Sequence, residues 1–270
     1  MGAGRLTHRA RMLPAFLIVG AQRCGTTSLY RSLSQHPAVL KPVWHKGVHY
    51  FDTHYDRGLA WYQGHFPLSA RARRVERATG ATALAFESSP YYMFHPLAAE
   101  RIARDLPAVK LLVLVRDPAE RAFSAHAHER ARGFETEPFD RALELEAERL
   151  EGETERLTSK PSYRSFSHQH HAYRARGRYA EQLERLAWCC GRERVHVIDS
   201  GDFFASPEPV FDEVLRFLEL PQLGHPTFVR LNARERPAMD PASRRMLDSY
   251  FAPYDAQLAQ WLGRQPSWRR

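Results

Sequence analysis

A short apolar run followed by a glycine loop constrains the fold of this chain more than any other feature. Residues 16–19 (FLIV) are entirely apolar, and the segment GAQRCGTTS follows at positions 20–28. Such a run predicts a strand that is buried on both faces, as in a parallel sheet. Leu29 and Leu33, together with a His-Pro stop after them, predict a helix that begins near Thr26. The chain therefore contains a strand, a glycine loop and a helix in direct succession.

Strand and helix patterns alternate along the rest of the chain. Strands are predicted at residues 83–87, 110–115 and 194–198, and helices at residues 96–106, 118–132, 139–150, 173–188, 207–218 and 240–262. This alternation predicts a single-domain α/β fold, a P-loop-like parallel sheet flanked by helices on both faces. Ligands of such folds bind beyond the carboxyl ends of the strands. Both the glycine loop and the segment that starts at Arg116 lie at such ends.

Three segments carry no regular pattern. Residues 1–13 are basic and predict a flexible tail in front of a domain that spans residues 14–270. Residues 41–67 are rich in aromatic residues, histidines and turn formers, which favours a surface-forming segment. Residues 151–167 are polar and contain two turn breaks, so we expect a mobile loop there.

Composition limits the class of protein. A chain of 270 residues of which 43% are hydrophobic can bury one core of ordinary size, unlike a disordered chain. The three cysteines offer neither a disulfide framework nor a metal-binding spacing, and His168, His170 and His171 are interpreted as a solvated tract rather than a metal site. The apolar run at residues 13–20 is too short to span a membrane, so we expect a cytoplasmic protein without a membrane span.

The basic residues are almost all arginines. The formal net charge is +8, with 35 arginines against four lysines. The planar guanidinium group binds phosphate or sulfate through two hydrogen bonds at once, but an excess of arginine also arises from a GC-rich genome, so the positions of the arginines have to decide. A basic nucleic-acid-binding protein is one alternative. The arginines are scattered, however, and no recognition helix or RNA-binding motif is evident.

The glycine loop itself predicts an anion site. Backbone N–H groups of such a loop, together with the positive end of the following helix, attract a negative group. The loop departs from the nucleoside-triphosphate pattern G-x-x-x-x-G-K-[ST], because Thr26 stands where that pattern has lysine and the nearest cation is Arg23. The strand at residues 110–115 ends in Arg116 and not in a magnesium-binding aspartate. A P-loop nucleotide kinase or NTPase is therefore an alternative function, which these two differences disfavour. The structural alternative is that the glycine loop is only a tight turn between a strand and a helix.

Two separated motifs resemble one enzyme family. The segment FLIVGAQRCGTTSLYRSLSQHP resembles the 5′-phosphosulfate loop of sulfotransferases that depend on 3′-phosphoadenosine 5′-phosphosulfate (PAPS), and LLVLVRDPAERAFSAH resembles their 3′-phosphate motif. The likeness is closest to the sulfotransferase domains that modify heparan sulfate and to their bacterial relatives. It continues through FESSPYYMF, RGRYAEQLERL and RVHVIDSGDF, and covers roughly residues 14–268.

The resemblance implies a set of donor-binding residues. Residues of the glycine loop are implied to contact the bridging phosphosulfate: Arg23, Gly25, Thr26, Thr27 and Ser28. Arg116 and Ser124 are implied to bind the 3′-phosphate, the arginine as cation and the serine as hydroxyl donor. Arg234 aligns with the arginine of the basic loop that covers the nucleotide in the family, although Asn232 and Ala233 replace the lysine and glycine of that loop. Arg116 could instead form a structural ion pair.

The general base is the point at which this chain departs from the family. Many relatives carry a glutamate two residues before the histidine of the aromatic motif, and here that position is Gly47. His49 matches an active-site position and titrates near neutrality, so it could accept the proton itself. Glu87 is the second candidate, and Ser88 stands where some relatives carry lysine. The structural alternatives are that His49 only packs among aromatic rings and that Glu87 only orients its neighbours.

The implied reaction is a transfer of the sulfuryl group of PAPS to a hydroxyl group, or less often an amine, of a carbohydrate-containing or other small-molecule acceptor. The base removes the hydroxyl proton, the oxygen attacks sulfur in line, and Arg23 with the loop N–H groups offsets charge on the leaving phosphate. No metal and no nucleic acid are implied. The sequence assigns neither the acceptor nor the oligomeric state.

Overall fold

Five parallel strands form the centre of the molecule. The computed structural model describes residues 2–229 and 238–270, and we refer to these as the described residues. The strands are β1 (Phe16–Gly20), β2 (Val39–Leu40), β3 (Leu84–Ser88), β4 (Lys110–Val115) and β5 (Val195–Asp199). They lie in the order β2-β3-β1-β4-β5, and each pairs in parallel with its neighbours. Because β1 lies at the middle of the sheet and ends in the glycine loop, the loop opens at the centre of the carboxyl edge.

Helices surround this sheet. They are α1 (Gly2–Leu6), α2 (Thr26–Leu33), α3 (Tyr50–Thr53), α4 (Leu59–Gln63), α5 (Ser69–Thr79), α6 (Ala98–Asp105), α7 (Pro118–Ala131), α8 (Phe139–Leu150), α9 (Glu153–Ser159), α10 (Phe166–His170), α11 (Tyr179–Cys190), α12 (Ser200–Ala205), α13 (Pro207–Phe217) and α14 (Pro241–Leu262). Every residue of β1 is buried, as is every residue of β4 after Lys110, so both faces of these strands are covered. The predicted α/β sheet flanked by helices is confirmed.

A second apolar cluster lies beside the sheet. Phe139 and Leu143 of α8 pack with Leu247 and Phe251 of α14 and with buried alanines of α7. Burying side chains of this size stabilises the fold by about 1.5–3 kcal/mol each. The cluster fixes the axis of α7, and with it the position of every polar residue that α7 presents at the carboxyl edge of the sheet.

The prediction that residues 41–67 form a surface segment is wrong. Tyr50, Phe51, Tyr62 and Phe66 are buried in the main core, and the rings of Tyr50 and Tyr62 stack with centroids 4.7 Å apart. The segment folds into the short helices α3 and α4, which are too brief to show a helical period in sequence. Its aromatic residues therefore build core and not surface.

The prediction of a loop at residues 151–167 also fails. The segment contains α9 and the start of α10, and Leu157 of α9 is buried. Glu153 is buried as well and accepts a hydrogen bond from the hydroxyl of Tyr163 at 2.9 Å. Helices of five to seven residues carry too few turns for a periodic signal, and tertiary contacts supply the stability that such short helices lack alone.

The amino-terminal segment is structured in part. It contains α1, and Arg11 donates to the carbonyl oxygen of Phe66 at 2.7 Å while its own carbonyl accepts from Gln63 at 2.8 Å. Met12 donates from its backbone to the carbonyl of Pro67. These bonds place the end of the predicted tail against α4. A division of the chain after residue 13 stays a prediction.

Candidate functional site

The glycine loop reverses the chain between β1 and α2. Gly25 immediately precedes α2 with a φ of 91°, and Arg23 also has a positive φ of 70°. A Cβ atom on Gly25 would lie 3.0 Å from the ring of Phe204, so both conformation and space favour glycine there. Thr26 and Thr27 form the first turn of α2 and line a cavity together with Gly25. The first N–H groups of a helix lack intrahelical partners, which makes this end suitable for an anion.

The segment after β4 forms the second side of the cavity. Arg116 follows the last residue of β4, and its carbonyl oxygen accepts a hydrogen bond from Tyr179 at 2.8 Å. Asp117 caps α7 by accepting from the backbone N–H groups of Ala119 and Glu120. The Arg116 guanidinium contacts Glu120 at 3.4 Å while 28% of its side chain stays exposed. The arginine therefore has an ion pair and also reaches the cavity.

The two motifs meet across the cavity. The Nε atom of Arg23 donates to Oγ of Ser124 at 3.1 Å. Ser124 lies on α7, and Arg23 lies in the glycine loop a hundred residues away in sequence. Pairing of β1 with β4 in the sheet brings these two carboxyl ends together. A single ligand can therefore contact both motifs.

His49 faces the same cavity as one half of a hydrogen-bonded pair. Its Nδ1 donates to Oδ2 of Asp52 at 2.8 Å, and the His49 side chain is 40% exposed while that of Asp52 is fully buried. Burial of the ring opposes its charged form, but the Asp52 carboxylate outweighs this and raises the pKa of His49. With Nδ1 engaged by Asp52, Nε2 is the nitrogen that can accept a proton. The backbone N–H of His49 donates to Ser89 at 3.0 Å and fixes the start of α3.

Glu87 does not reach the cavity. It is fully buried at the end of β3 and accepts hydrogen bonds from Ser89 at 2.7 Å, from the Val48 backbone at 3.3 Å and from Tyr62 at 3.3 Å. Burial raises its pKa, and the hydrogen bond from Ser89 works in the opposite direction. Both oxygens are engaged by protein groups. These contacts hold the segment that carries His49, and they do not favour Glu87 as the base, a role that stays a prediction.

The absence of a glutamate at position 47 has a structural reason in this chain. A Cβ atom on Gly47 would lie 2.6 Å from the carbonyl oxygen of Ser88 and 3.0 Å from Oγ of Ser89. The backbone at Gly47 is thus pressed against the end of β3, where any side chain would force a shift. The Oγ atom of Ser88 is buried and has no hydrogen-bond partner among the described residues.

Lys46 is a site residue that the sequence reasoning did not select. It lines the cavity, its Nζ donates to Oγ1 of Thr27 at 2.8 Å, and the ammonium group lies 5.7 Å from the ring centroid of Tyr30. Burial lowers its pKa to about 8, against the opposing influence of Glu87. Its place three residues before His49 was the one sequence signal available.

The sequence reasoning also did not select a group of polar side chains around Gln22, three of which line the cavity. Gln22, next to Arg23, donates to Glu129 at 3.2 Å, and His170 contacts the other oxygen of Glu129 at 3.0 Å. The guanidinium of Arg176 donates to the side-chain oxygen of Gln22. Burial of Glu129 alone would raise its pKa, but the hydrogen bond from His170 and the charges of His170 and Arg132 together outweigh burial and lower it. The interpretation of the neighbouring histidines as a solvated tract is wrong. His168 is buried and stacks on the ring of Phe94, and His171 is buried with its Nε2 at 2.9 Å from the carbonyl oxygen of Phe134.

The cavity has a volume of about 890 Å³, which is within the range of sites for nucleotides and drug-sized molecules. Seven predicted site residues line it: Arg23, Gly25, Thr26, Thr27, His49, Arg116 and Ser124. Ser28 is buried and lies outside the lining. Arg234 belongs to residues 230–237, outside the described residues, and its predicted role stays a prediction.

Ser267 and Trp268 form part of the cavity wall. Ser267 donates from its backbone and its hydroxyl to Asp199, at 2.7 Å in each case, and Trp268 lines the cavity. Ser200, the next residue after β5, donates to the carbonyl oxygen of Cys24 in the glycine loop. The ends of β1, β4 and β5 thus share one site.

Within residues 2–229 and 238–270, no three histidine, cysteine, aspartate or glutamate side chains are grouped as ligands for a metal ion. None of the helices in this part of the chain is both long enough and apolar enough to cross a membrane.

Residues 13–231 match the model of the family described as "Sulfotransferase domain". Among curated proteins, the chain is 26% identical over 292 residues to heparan sulfate glucosamine 3-O-sulfotransferase 5 of Homo sapiens, covering 98% of this chain and 76% of the relative. It is also 26% identical over 287 residues to the bifunctional heparan sulfate N-deacetylase/N-sulfotransferase of Drosophila melanogaster, covering 95% of this chain. The matched part is about a quarter (26%) of the length of that bifunctional relative.

A solved structure matches along nearly the whole chain. The sulfotransferase from Alicyclobacillus acidocaldarius is 32% identical, with a TM-score of 0.70, and the match covers 96% of this chain and 100% of that one. Sequence and structure comparisons thus agree on one class of protein.

Proposed function

Because the chain belongs to the sulfotransferase family, we propose that it moves the sulfuryl group of PAPS to a hydroxyl group of a carbohydrate-containing or other small-molecule acceptor. The observation that carries this proposal is the contact between Arg23 and Ser124 at 3.1 Å inside one cavity. It joins the loop that matches the phosphosulfate motif to the helix that matches the 3′-phosphate motif.

The cations and hydrogen-bond donors that line the cavity suit a nucleotide with two anionic groups. The glycine-loop side of the cavity offers Arg23 and the first turn of α2, and the adjoining α7 side offers Arg116 with the hydroxyl of Ser124. Guanidinium groups and hydroxyl donors are suited to phosphate and sulfate oxygens. In this proposal the first pair of groups holds the phosphosulfate and the second pair holds the 3′-phosphate.

His49 is the proposed general base. Its Nδ1 is held by the buried Asp52 carboxylate, which leaves Nε2 to take the acceptor proton. In the proposed step the acceptor oxygen forms a bond to sulfur, the bond from sulfur to the bridging phosphate oxygen breaks, and adenosine 3′,5′-bisphosphate leaves. Negative charge that develops on the leaving phosphate is offset by Arg23 and the loop N–H groups, which are in place before the reaction.

The acceptor is proposed from the relatives and from the cavity wall. Two relatives are named for transfer to heparan sulfate, one at an oxygen and one at a nitrogen. Beyond His49, the wall carries Arg132, His170 and Arg176. Side chains that donate hydrogen bonds, as these do, can bind the hydroxyl oxygens of an acceptor.

The test is a transfer assay with ³⁵S-labelled PAPS. Glucosamine-containing oligosaccharides are offered in N-acetylated and N-deacetylated forms, beside lipid and secondary-metabolite extracts, and labelled products are separated and identified. Label on the N-acetylated form supports transfer to a hydroxyl group, and label confined to the free amine contradicts it. Magnesium-dependent ATP hydrolysis without any transfer from PAPS would contradict the proposed function as a whole.

A further inference from the structure

We propose that Lys46 is the second cation of the transfer site, which takes up a proton when PAPS binds and then holds sulfuryl oxygens opposite Arg23. This inference rests on the proposed function. It concerns a residue that neither the family match nor the sequence motifs single out.

The position of Lys46 is fixed by two contacts on the donor helix. Its Nζ donates to the hydroxyl of Thr27 at 2.8 Å, and the same group lies over the ring of Tyr30 with 5.7 Å to the centroid. Thr27 and Tyr30 are three residues apart on α2 and so share one face of it. The lysine therefore extends from the segment that carries His49 to the first turn of the helix that follows the glycine loop.

The protonated form of Lys46 is less favoured at this place than in an exposed lysine, and a bound anion would restore it. The first turn of a helix carries partial positive charge, so an ammonium group beside it is repelled. Burial adds to this and lowers the pKa of Lys46 to about 8. The titratable groups around it are Glu87 from β3, His49 from its own segment and Tyr30 from α2, and of these only Glu87 carries a stabilising negative charge. Glu87 is fully engaged in hydrogen bonds elsewhere.

Donor binding reverses this balance. A phosphosulfate at the glycine loop brings negative charge between the helix end and the lysine, and an opposite charge within about 4–6 Å favours the protonated amine. Lys46 is then charged throughout the reaction and cannot serve as the base, which leaves that role to His49.

The first experiment measures proton uptake by the wild-type protein. Adenosine 3′,5′-bisphosphate is titrated into it by calorimetry at pH 8 in two buffers of different ionisation enthalpy. A group with a pKa near 8 in the free protein is about half protonated at that pH, so about half a proton is taken up for each nucleotide bound. Affinity falls about tenfold for each pH unit above 8, because the protonated form becomes rarer in the free protein.

Two variants of Lys46 distinguish the effect of its charge on nucleotide affinity from the effect of its size. Lys46→Met lowers nucleotide affinity at pH 7 by about ten- to a hundredfold and removes the pH dependence above 8. Lys46→Arg keeps its charge at every pH tested, so it retains affinity and also loses the pH dependence. Lys41→Met, at an exposed lysine five residues earlier, is the matched control and leaves nucleotide affinity and its pH dependence unchanged. Thermal unfolding verifies that each variant is folded.

The outcomes distinguish this inference from the proposed function. A wild-type protein that fails to bind the nucleotide or to transfer sulfate from PAPS contradicts the proposed function. A protein that binds without proton uptake, and whose Lys46→Met variant keeps full affinity, overturns the role of Lys46 alone. A turnover number that rises with pH through 8 in the wild type and is lost in Lys46→Arg identifies a neutral lysine base and also overturns the proposal.

Discussion

Arg23 and Ser124 are joined by a hydrogen bond of 3.1 Å from Nε to Oγ, although a hundred residues separate them. Arg23 has a positive φ of 70°, a conformation that non-glycine residues rarely adopt. The loop thus holds an arginine in a strained conformation and directs it towards the helix that follows Arg116. Strain of this kind is concentrated at ligand sites, where the surrounding structure enforces it.

Replacement of Arg116 should discriminate between two nucleotides. In Arg116→Ala, we expect affinity for adenosine 3′,5′-bisphosphate to fall by about 1.5–3 kcal/mol, the range for a hydrogen bond to a charged group. Affinity for adenosine 5′-phosphate, which lacks the 3′-phosphate, should change much less. Calorimetry with both nucleotides measures the difference. Equal losses for the two would mean that Arg116 does not contact the 3′-phosphate.

Removal of the proposed base should affect turnover and not donor binding. His49→Ala should lower kcat by about 10²–10⁴-fold, the usual contribution of a positioned acid or base. Affinity for adenosine 3′,5′-bisphosphate should remain near the wild-type value, because His49 is assigned to the acceptor. A variant with a near wild-type kcat would transfer the base role to another group.

The pair of His49 and Asp52 predicts the pH profile. A base must be unprotonated, so activity should fall as the pH drops through the raised pKa of His49. Asp52→Asn removes the carboxylate that raises this pKa and leaves the effect of burial, so the acidic limb of kcat/KM should shift to lower pH. Profiles of wild type and variant, measured side by side, test this. An acidic limb that stays in place would show that His49 does not produce it.

Substitution at Gly47 should destabilise the fold. A Cβ atom there meets the carbonyl oxygen of Ser88 at 2.6 Å, and overpacking of this kind costs about 1–3 kcal/mol. Gly47→Ala should therefore lower the Tm, and Gly47→Glu should do so without restoring activity to a His49→Ala protein. Gly80→Ala is a control for the loss of a glycine where a Cβ meets nothing within 4 Å, although its φ of 69° brings strain of its own. Unchanged stability in Gly47→Ala would mean that the backbone at the end of β3 shifts to accommodate the Cβ atom at little energetic cost.

Chelation of metal ions should leave the reaction intact. Positive charge for the transfer is available from Arg23, Lys46 and the first turn of α2, all of which line the cavity. We therefore expect full transfer from PAPS in the presence of EDTA. Activity that disappears with EDTA and returns with Mg²⁺ would contradict a metal-free transfer.

Local pattern in the sequence was sufficient for four of the five strands and for most of the longer helices, but it missed the two-residue β2 and the eleven-residue α5. The apolar runs that became β1 and β4, and the Asp-Pro start of α7, could be located to within a residue or two. These features are decided by burial on both faces and by capping, which depend on neighbours in sequence. Short helices such as α3 and α9 were missed, because they are stabilised by contacts outside the helix itself, such as that of Tyr50 with Tyr62 and that of Glu153 with Tyr163.

What the sequence by itself determined is therefore the fold class, the glycine loop and the two motifs for which we propose anion binding, since each is a contiguous run whose chemistry is local. Tertiary structure alone decided that Glu87 faces the core, that Asp52 supports His49, and that Lys46 lies on the donor helix. Those assignments depend on which side chains the parallel sheet brings to one edge and on how burial shifts their pKa values. Neither this arrangement nor this burial exists until strands far apart in sequence have paired.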